Sequence, residues 1–166
     1  MHQIKLKNKR VLVMGLGSFG GGADSAAFAC GQGAQVTVTD LADESHLKET
    51  IQPLRSYPIQ WHLGRHEDGD FRTSDVVIVN PAVPQDNRYL QIARAANAVV
   101  TSQVQLFFER CPARIAAITG SNGKSTTTAL TAHLLEAGLG QKAIGYDRVF
   151  LSGNIGNRPL LGLLET

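Results

Sequence analysis

The apolar run Val11-Leu-Val-Met14 breaks directly onto Gly15-Leu-Gly17-Ser-Phe-Gly20. No other feature constrains the fold as tightly. A short apolar run ending on glycines reads as a buried parallel strand. A chain that leaves such a strand through a glycine loop and enters a helix is committed to layered α/β architecture. Gly15 allows the tight turn, Gly17 lets the backbone approach a diphosphate, and Gly20 allows close packing of helix on strand. The helix start offers free N–H groups and a positive dipole end to an anion. Asp40 closes the next strand, where a carboxylate can accept hydrogen bonds from a ribose or a base edge.

The pattern then repeats. The spacing predicts a helix over 20–31, a strand over 36–39, a helix over 43–52 stopped by Pro53, and a strand over 59–63. A polar, acidic loop is expected over 66–72, then a strand over 76–79 halted by Asn80-Pro81. A helix over 86–96, a strand over 98–100 and a helix over 102–109 complete the series. Strands alternating with helices predict a Rossmann-like parallel sheet covered on both faces. Gly21 and Gly22 are poor helix starters, each up to about 1 kcal/mol worse than Ala, and are expected to widen the loop. Cys111-Pro112 breaks the alternation. It sets a boundary between a domain of residues 1–110 and the incomplete opening of another over 111–166.

That second stretch carries the most specific motif. Ile115-Ala-Ala-Ile-Thr119-Gly120-Ser121-Asn122-Gly123-Lys124-Ser125-Thr126 reads as a strand over 114–118, a phosphate loop and a helix over 124–137. Backbone N–H groups of such a loop wrap phosphates, the lysine reaches the β- and γ-phosphates, and the serine hydroxyl faces Mg²⁺. Ile118 stands where the long form of the motif has its first glycine, so the turn is a shorter variant. Short segments near 142–145 and 149–151 follow. The sequence stops at Leu160-Leu-Gly-Leu-Leu-Glu-Thr166, an apolar, helix-like stretch without a cap, as expected of the front piece of a longer protein.

Composition excludes several classes. With 43% hydrophobic and 18% charged residues in 166, the chain folds rather than staying disordered. A net charge of +2 gives no strongly basic face and argues against nucleic-acid binding. No run reaches the ~18 apolar residues of a membrane span. Basic residues 5–10, Val11–Phe19 and Ser25–Cys30 mimic a secretory leader, but the glycines between 15 and 22 and the acid Asp24 break that pattern. Cys30 and Cys111 form no disulfide framework, which fits a reducing cytoplasm. His62 and His66 have metal-like spacing without a nearby third ligand. The run His66-Glu-Asp-Gly-Asp70 is too short for a calcium loop and reads as a solvated turn.

Together the first glycine loop, Thr119–Thr126 and Ser152-Gly-Asn-Ile-Gly156 resemble the Mur ligases, the ATP-dependent amide ligases of peptidoglycan synthesis. The form of the last two motifs is similar to the D-glutamate-adding branch. The resemblance implies a UDP-binding first domain, a central ATPase domain of which only the opening is present, and an amino-acid-binding third domain. It implies that Gly15, Gly17, Ser18, Phe19 and Gly20 lie at the substrate diphosphate, Asp40 and Leu41 at the uracil, Gly64 on a loop beside it, and Asn154 at the muramoyl part. Gly120 to Thr126 would bind ATP, with Lys124 acting on the transferring phosphoryl group and Ser125 on Mg²⁺. UDP-N-acetylmuramoyl-L-alanine and D-glutamate are the implied substrates. By themselves these 166 residues are expected to bind but not to catalyse. Some positions depart from the family pattern: Phe19 replaces a small hydroxyl residue, Gln105 replaces a residue that is often acidic, and Leu41-Ala42 offers no polar side chain after Asp40.

Two other readings stay open. An NAD(P)-dependent oxidoreductase module explains the first loop and Asp40 equally well, but not Gly-Lys-Ser at 123–125. Another ligase of the same superfamily, of the folylpolyglutamate type or a different Mur ligase, explains both loops.

Overall fold

The computed structural model describes residues 3–17, 20–140, 145–153, 155 and 158–165. They form two compact units, Met1–Cys111 with Leu160–Thr166, and Pro112–Pro159. Ser18, Phe19, Asn154, Gly156 and most of the segment expected near 142–145 lie outside the described residues.

The first unit is a five-stranded sheet of β1 (Arg10–Met14), β2 (Gln35–Asp40), β3 (Ile59–Leu63), β4 (Val76–Val79) and β5 (Val99–Thr101). All neighbours are parallel and the order is β3-β2-β1-β4-β5. Central β1 is buried from Val11 to Met14, which is why it reads as an unbroken apolar run. Its alternate residues feed separate cores. Val11 and Val13 pack with Val36, Val38, Val76 and Ile78 on one face. There they meet α1 (Gly21–Gly31), α2 (Glu44–Ile51) and α5 (Gln103–Arg110). Leu12 and Met14 point the other way, onto Phe71 of α3 (Asp68–Thr73) and Leu90 and Ala93 of α4 (Arg88–Ala95). Each such fully buried side chain contributes roughly 1.5–3 kcal/mol by leaving water.

Local chemistry sets the helix ends. The Asp43 carboxylate accepts from the His46 amide to start α2, Asn87 Oδ1 from the Tyr89 amide to start α4, and Ser102 Oγ from the Gln105 amide to start α5. Pro53 does not end the α2 segment abruptly; it sits in a 3-10 turn, Gln52–Leu54, that follows the helix. The acidic stretch expected as a loop over 66–72 instead contains α3. Asp68 and Asp70 favour its positive end, and Phe71, wholly buried, anchors it.

The chain ends are tied to α5. Glu109 Oε2 accepts from the Ile4 amide at 3.1 Å, and Arg110 donates to the Ile4 and Leu106 carbonyls while lying 5.6 Å from the Phe28 ring. Leu160–Thr166, expected with the second domain, belongs to this first unit. Its 3-10 turn, Leu161–Glu165, packs on α1 and α5 with Leu161 wholly buried.

The second unit centres on α6 (Lys124–Gly140). No strand forms over 114–118 or 149–151 among the described residues. A parallel strand needs a neighbour for its backbone groups, and apolar composition alone does not supply one. The same shortage leaves Leu130 and Leu134 of α6 at 58% and 70% exposure.

Candidate functional site

In a sheet ordered 3-2-1-4-5, the connections from β1 and β4 diverge to opposite faces, and the crevice at their carboxyl ends is the usual ligand site. The first glycine loop leaves β1 at this crevice, and Asn80 leaves β4 directly beside it. The Asn80 amide donates to the Met14 carbonyl at 3.0 Å, and its side-chain Nδ2 donates to the Gly15 carbonyl at 3.4 Å. Gly15 has φ +85°, and a Cβ there would stand 2.9 Å from Asn80 Cβ. The glycine therefore admits both the left-handed turn and the asparagine. The sequence treated Asn80 only as a strand stop. Its position just past an apolar run, on the neighbour of β1, is the signal that was available.

The glycine that lets helix meet strand is Gly22, not Gly20. A Cβ on Gly22 would lie 2.4 Å from the Leu16 carbonyl oxygen and 2.5 Å from that of Gly15. A Cβ on Gly20 would meet nothing within 4 Å. Gly20 serves instead through its backbone, at φ +81°, as the left-handed N-cap of α1. It provides no side-chain cap, so the amides of Gly21, Gly22 and Ala23 precede the first i→i−4 bond, which runs from the Asp24 amide to the Gly20 carbonyl at 2.9 Å. Gly22, expected to widen the loop, instead closely approaches its first residues, Gly15 and Leu16.

Asp40 faces the loop. Its Oδ2 accepts from the amides of Leu16 at 2.8 Å and Gly17 at 3.3 Å, and its Oδ1 accepts from the Ala42 amide at 2.9 Å. The carboxylate thus latches the glycine loop to the end of β2, and those two loop amides are already engaged. Leu41, beside it, is 68% exposed. Gly64, at φ +83°, donates its amide to the Ala42 carbonyl at 3.0 Å and stitches the β3 exit to the β2 exit. A cleft of about 430 Å³ opens there, lined by Trp61, His62, Leu63, Gly64, Arg65 and Glu67.

Beneath this edge lies a polar knot. His62 Nδ1 and Asp70 Oδ2 are 2.7 Å apart, and Thr39 Oγ1 lies 2.8 Å from His66 Nδ1. His66 also sits edge-on to Phe71 and Tyr89. Burial pushes the His66 imidazole below its ordinary range, against the opposing pull of Asp40 and Asp70. His62 and His66 therefore have separate partners, and no group of three or more His, Cys, Asp or Glu among the described residues is placed to hold a metal ion.

The second glycine loop has its own geometry. Gly120 and Gly123 take φ +152° and +75°. Lys124 Nζ donates to the carbonyls of Gly120 at 2.6 Å and Ser121 at 3.3 Å, so the side chain curls over its own loop. Asn122, Ser125 and Thr126 are exposed, and the Thr127 amide donates to the Gly123 carbonyl at 2.9 Å to begin α6. No helix among the described residues is long and apolar enough to cross a membrane.

Residues 9–102 match the family model described as Mur ligase MurD-like, N-terminal domain. The UDP-N-acetylmuramoylalanine–D-glutamate ligase of Roseiflexus sp. (strain RS-1) is 48% identical over 132 residues, covering 80% of this chain and 28% of that protein. The enzyme of the same name from Geobacter metallireducens is 41% identical over 162 residues, covering 98% of this chain and 34% of that one. The chain thus spans about a third of the length of these relatives. In fold it is similar to a pseudomurein peptide ligase type C from Methanothermus fervidus, with a TM-score of 0.51 and 23% identity over 78% of this chain and 26% of that one.

Proposed function

The chain belongs to the MurD-like N-terminal domain family of Mur ligases, and on that footing we propose that it is the substrate-binding front part of an ATP-dependent peptidoglycan-precursor ligase. The ligase adds D-glutamate to UDP-N-acetylmuramoyl-L-alanine in the cytoplasm. The observation that carries this reading is the first glycine loop. It is latched by Asp40, backed by Asn80 and closely approached by Gly22, and it delivers the uncapped start of α1 to the crevice of the sheet. That end of a helix suits a diphosphate.

In this reading Gly15, Gly17 and Gly20, with Ser18 and Phe19, form the diphosphate loop, and Asn154 meets the muramoyl part. Gly64 lines the cleft proposed for the uracil, and Asp40 and Leu41 lie at the adjoining β2 exit. Asp40 acts on the ligand mainly through the loop, because its oxygens already accept three backbone N–H bonds. The UDP handle supplies remote binding energy that positions the reacting carboxylate.

ATP is the co-substrate of the proposed reaction. The alanine carboxylate attacks its γ-phosphorus and expels ADP, and the amine of D-glutamate then attacks the acyl phosphate and expels phosphate. Gly120, Ser121, Asn122, Gly123 and Thr126 would cradle the triphosphate. Lys124 would move from its loop carbonyls onto the transferring phosphoryl oxygens and offset their charge. The exposed Ser125 hydroxyl suits one position on a magnesium ion, which supplies further charge neutralisation when bound.

Calorimetric titration of the chain with UDP-N-acetylmuramoyl-L-alanine and, separately, NAD tests this. Binding of the UDP ligand without NAD is expected. Binding of NAD alone would overturn the ligase reading in favour of a dehydrogenase-type module.

A further inference from the structure

Asp24 stands in the first turn of α1, one turn from the glycine loop, and its partners come from far along the chain. Its Oδ2 accepts from Gln103 Nε2 of α5 at 2.5 Å and from the Leu161 amide at 2.8 Å. No cation pairs with it among the described residues; both donors are neutral. Gln103 lies along the same turn, since a Cβ on Gly21 would come within 3.2 Å of its Oε1. Gly21, a poor helix former, is thereby explained by close approach. Leu161 is wholly buried behind this contact, and Leu160, Leu163 and Leu164 pack on the same core.

The turn that holds Leu161 is the first turn of α1, which opens from the glycine loop. A first helical turn has few intrahelical bonds of its own and frays unless other groups fix it. We propose that Asp24 is a positioning residue that couples docking of Leu160–Glu165 to binding of a nucleoside diphosphate at the start of α1. This rests on the UDP-binding reading above. With Asp24 bonded, the first turn is held and its amides are aimed. With those bonds removed, the turn loosens and the segment is released. Coupling of this kind is reciprocal: the ligand tightens the segment by the factor by which the segment tightens the ligand.

The test combines calorimetry with amide exchange at Leu161 on wild type, Asp24→Ala and Asp24→Asn. Asp24→Ala should weaken UDP-N-acetylmuramoyl-L-alanine binding about tenfold and speed Leu161 exchange, with far-UV circular dichroism unchanged. Asp24→Asn keeps an acceptor oxygen in place and should stay within about threefold of wild type in both. Saturating ligand should slow Leu161 exchange in wild type and not in Asp24→Ala. Should Asp24→Ala fail to fold, Gln103→Leu removes one of the two donors and should weaken binding about fivefold, beyond the range allowed to Asp24→Asn. Wild-type affinity in the variant that folds, or failure of Asp24→Asn to restore binding, would overturn the coupling while leaving the UDP-binding reading intact. Failure of the wild-type protein itself to bind would overturn that reading, and the coupling with it.

Discussion

The molecule carries two glycine loops that look alike in sequence and are supported very differently. The loop at 15–20 leaves a strand with partners on both sides, and three separate groups fix it: the Asp40 carboxylate, the Asn80 side chain and the backbone contact at Gly22. The loop at 120–123 opens a helix with one buried residue among those described, Ala132, and Lys124 curls onto the loop's own carbonyls. A glycine motif specifies a backbone shape, but the surrounding sheet decides whether that shape is held before a ligand arrives.

The contrast can be broken most forcefully at Gly22. Gly22→Val places carbon well inside the van der Waals contact distance of two carbonyl oxygens and should destabilise the first unit by at least about 3 kcal/mol in urea melts. Gly123→Val strains the left-handed turn at φ +75° in the second unit and should leave the melt of the first unit unchanged. A Gly22→Val protein as stable as wild type would show that the helix can back away from the loop.

Asp40→Ala comes next. It strips acceptors from the Leu16, Gly17 and Ala42 amides and should destabilise the first unit by about 2–3 kcal/mol even without ligand. An aspartate serving only a base edge would lower affinity and leave the melt unmoved.

Amide exchange compares the two regions directly. The β1 and β4 amides should exchange through global opening, whereas those of α6 should exchange orders of magnitude faster, because little tertiary packing holds a helix that leaves Leu130 and Leu134 exposed. Equal protection would mean that α6 has support its exposed leucines do not reveal.

A smaller effect is expected from His66. Its folded-state value lies below the ordinary 6.5, so the unfolded chain takes up a proton before the folded one does. The stabilisation is complete above about pH 6.5 and drains away as pH falls through the lower, folded value. His66→Gln should therefore flatten the stability profile between pH 7 and 5. Smallest of all, Lys124→Met should move the melt of the first unit by less than about 0.5 kcal/mol while removing any ATP binding.

Strands β1 and β4 of the first unit were legible because each is a short apolar run with a hard stop, such as Val76–Val79 before Asn80-Pro81. Helix α3 was not: six residues with one buried anchor, Phe71, complete too few turns to show a period, and their acidity imitates a loop. The strand expected over 114–118 failed for the opposite reason, since its composition is right but its pairing partner is not among the described residues. At the site, the sequence located the loop and Asp40 but not the direction of the carboxylate. Gly22 and Asn80 act across space rather than along the chain; Asn80 is marked only by its place just past an apolar run, and nothing beside Gly22 marks it.

The return of Leu161 to the first core has a consequence for topology. The first unit draws on two separate stretches, the second of them a turn, Leu161–Glu165, packed against α5. A cut after Cys111 would remove the wholly buried Leu161 and leave a hole the size of its side chain. Splicing Cys111 to Leu160 through a short flexible bridge is the better minimal scaffold, and it should outlast the simple truncation on heating.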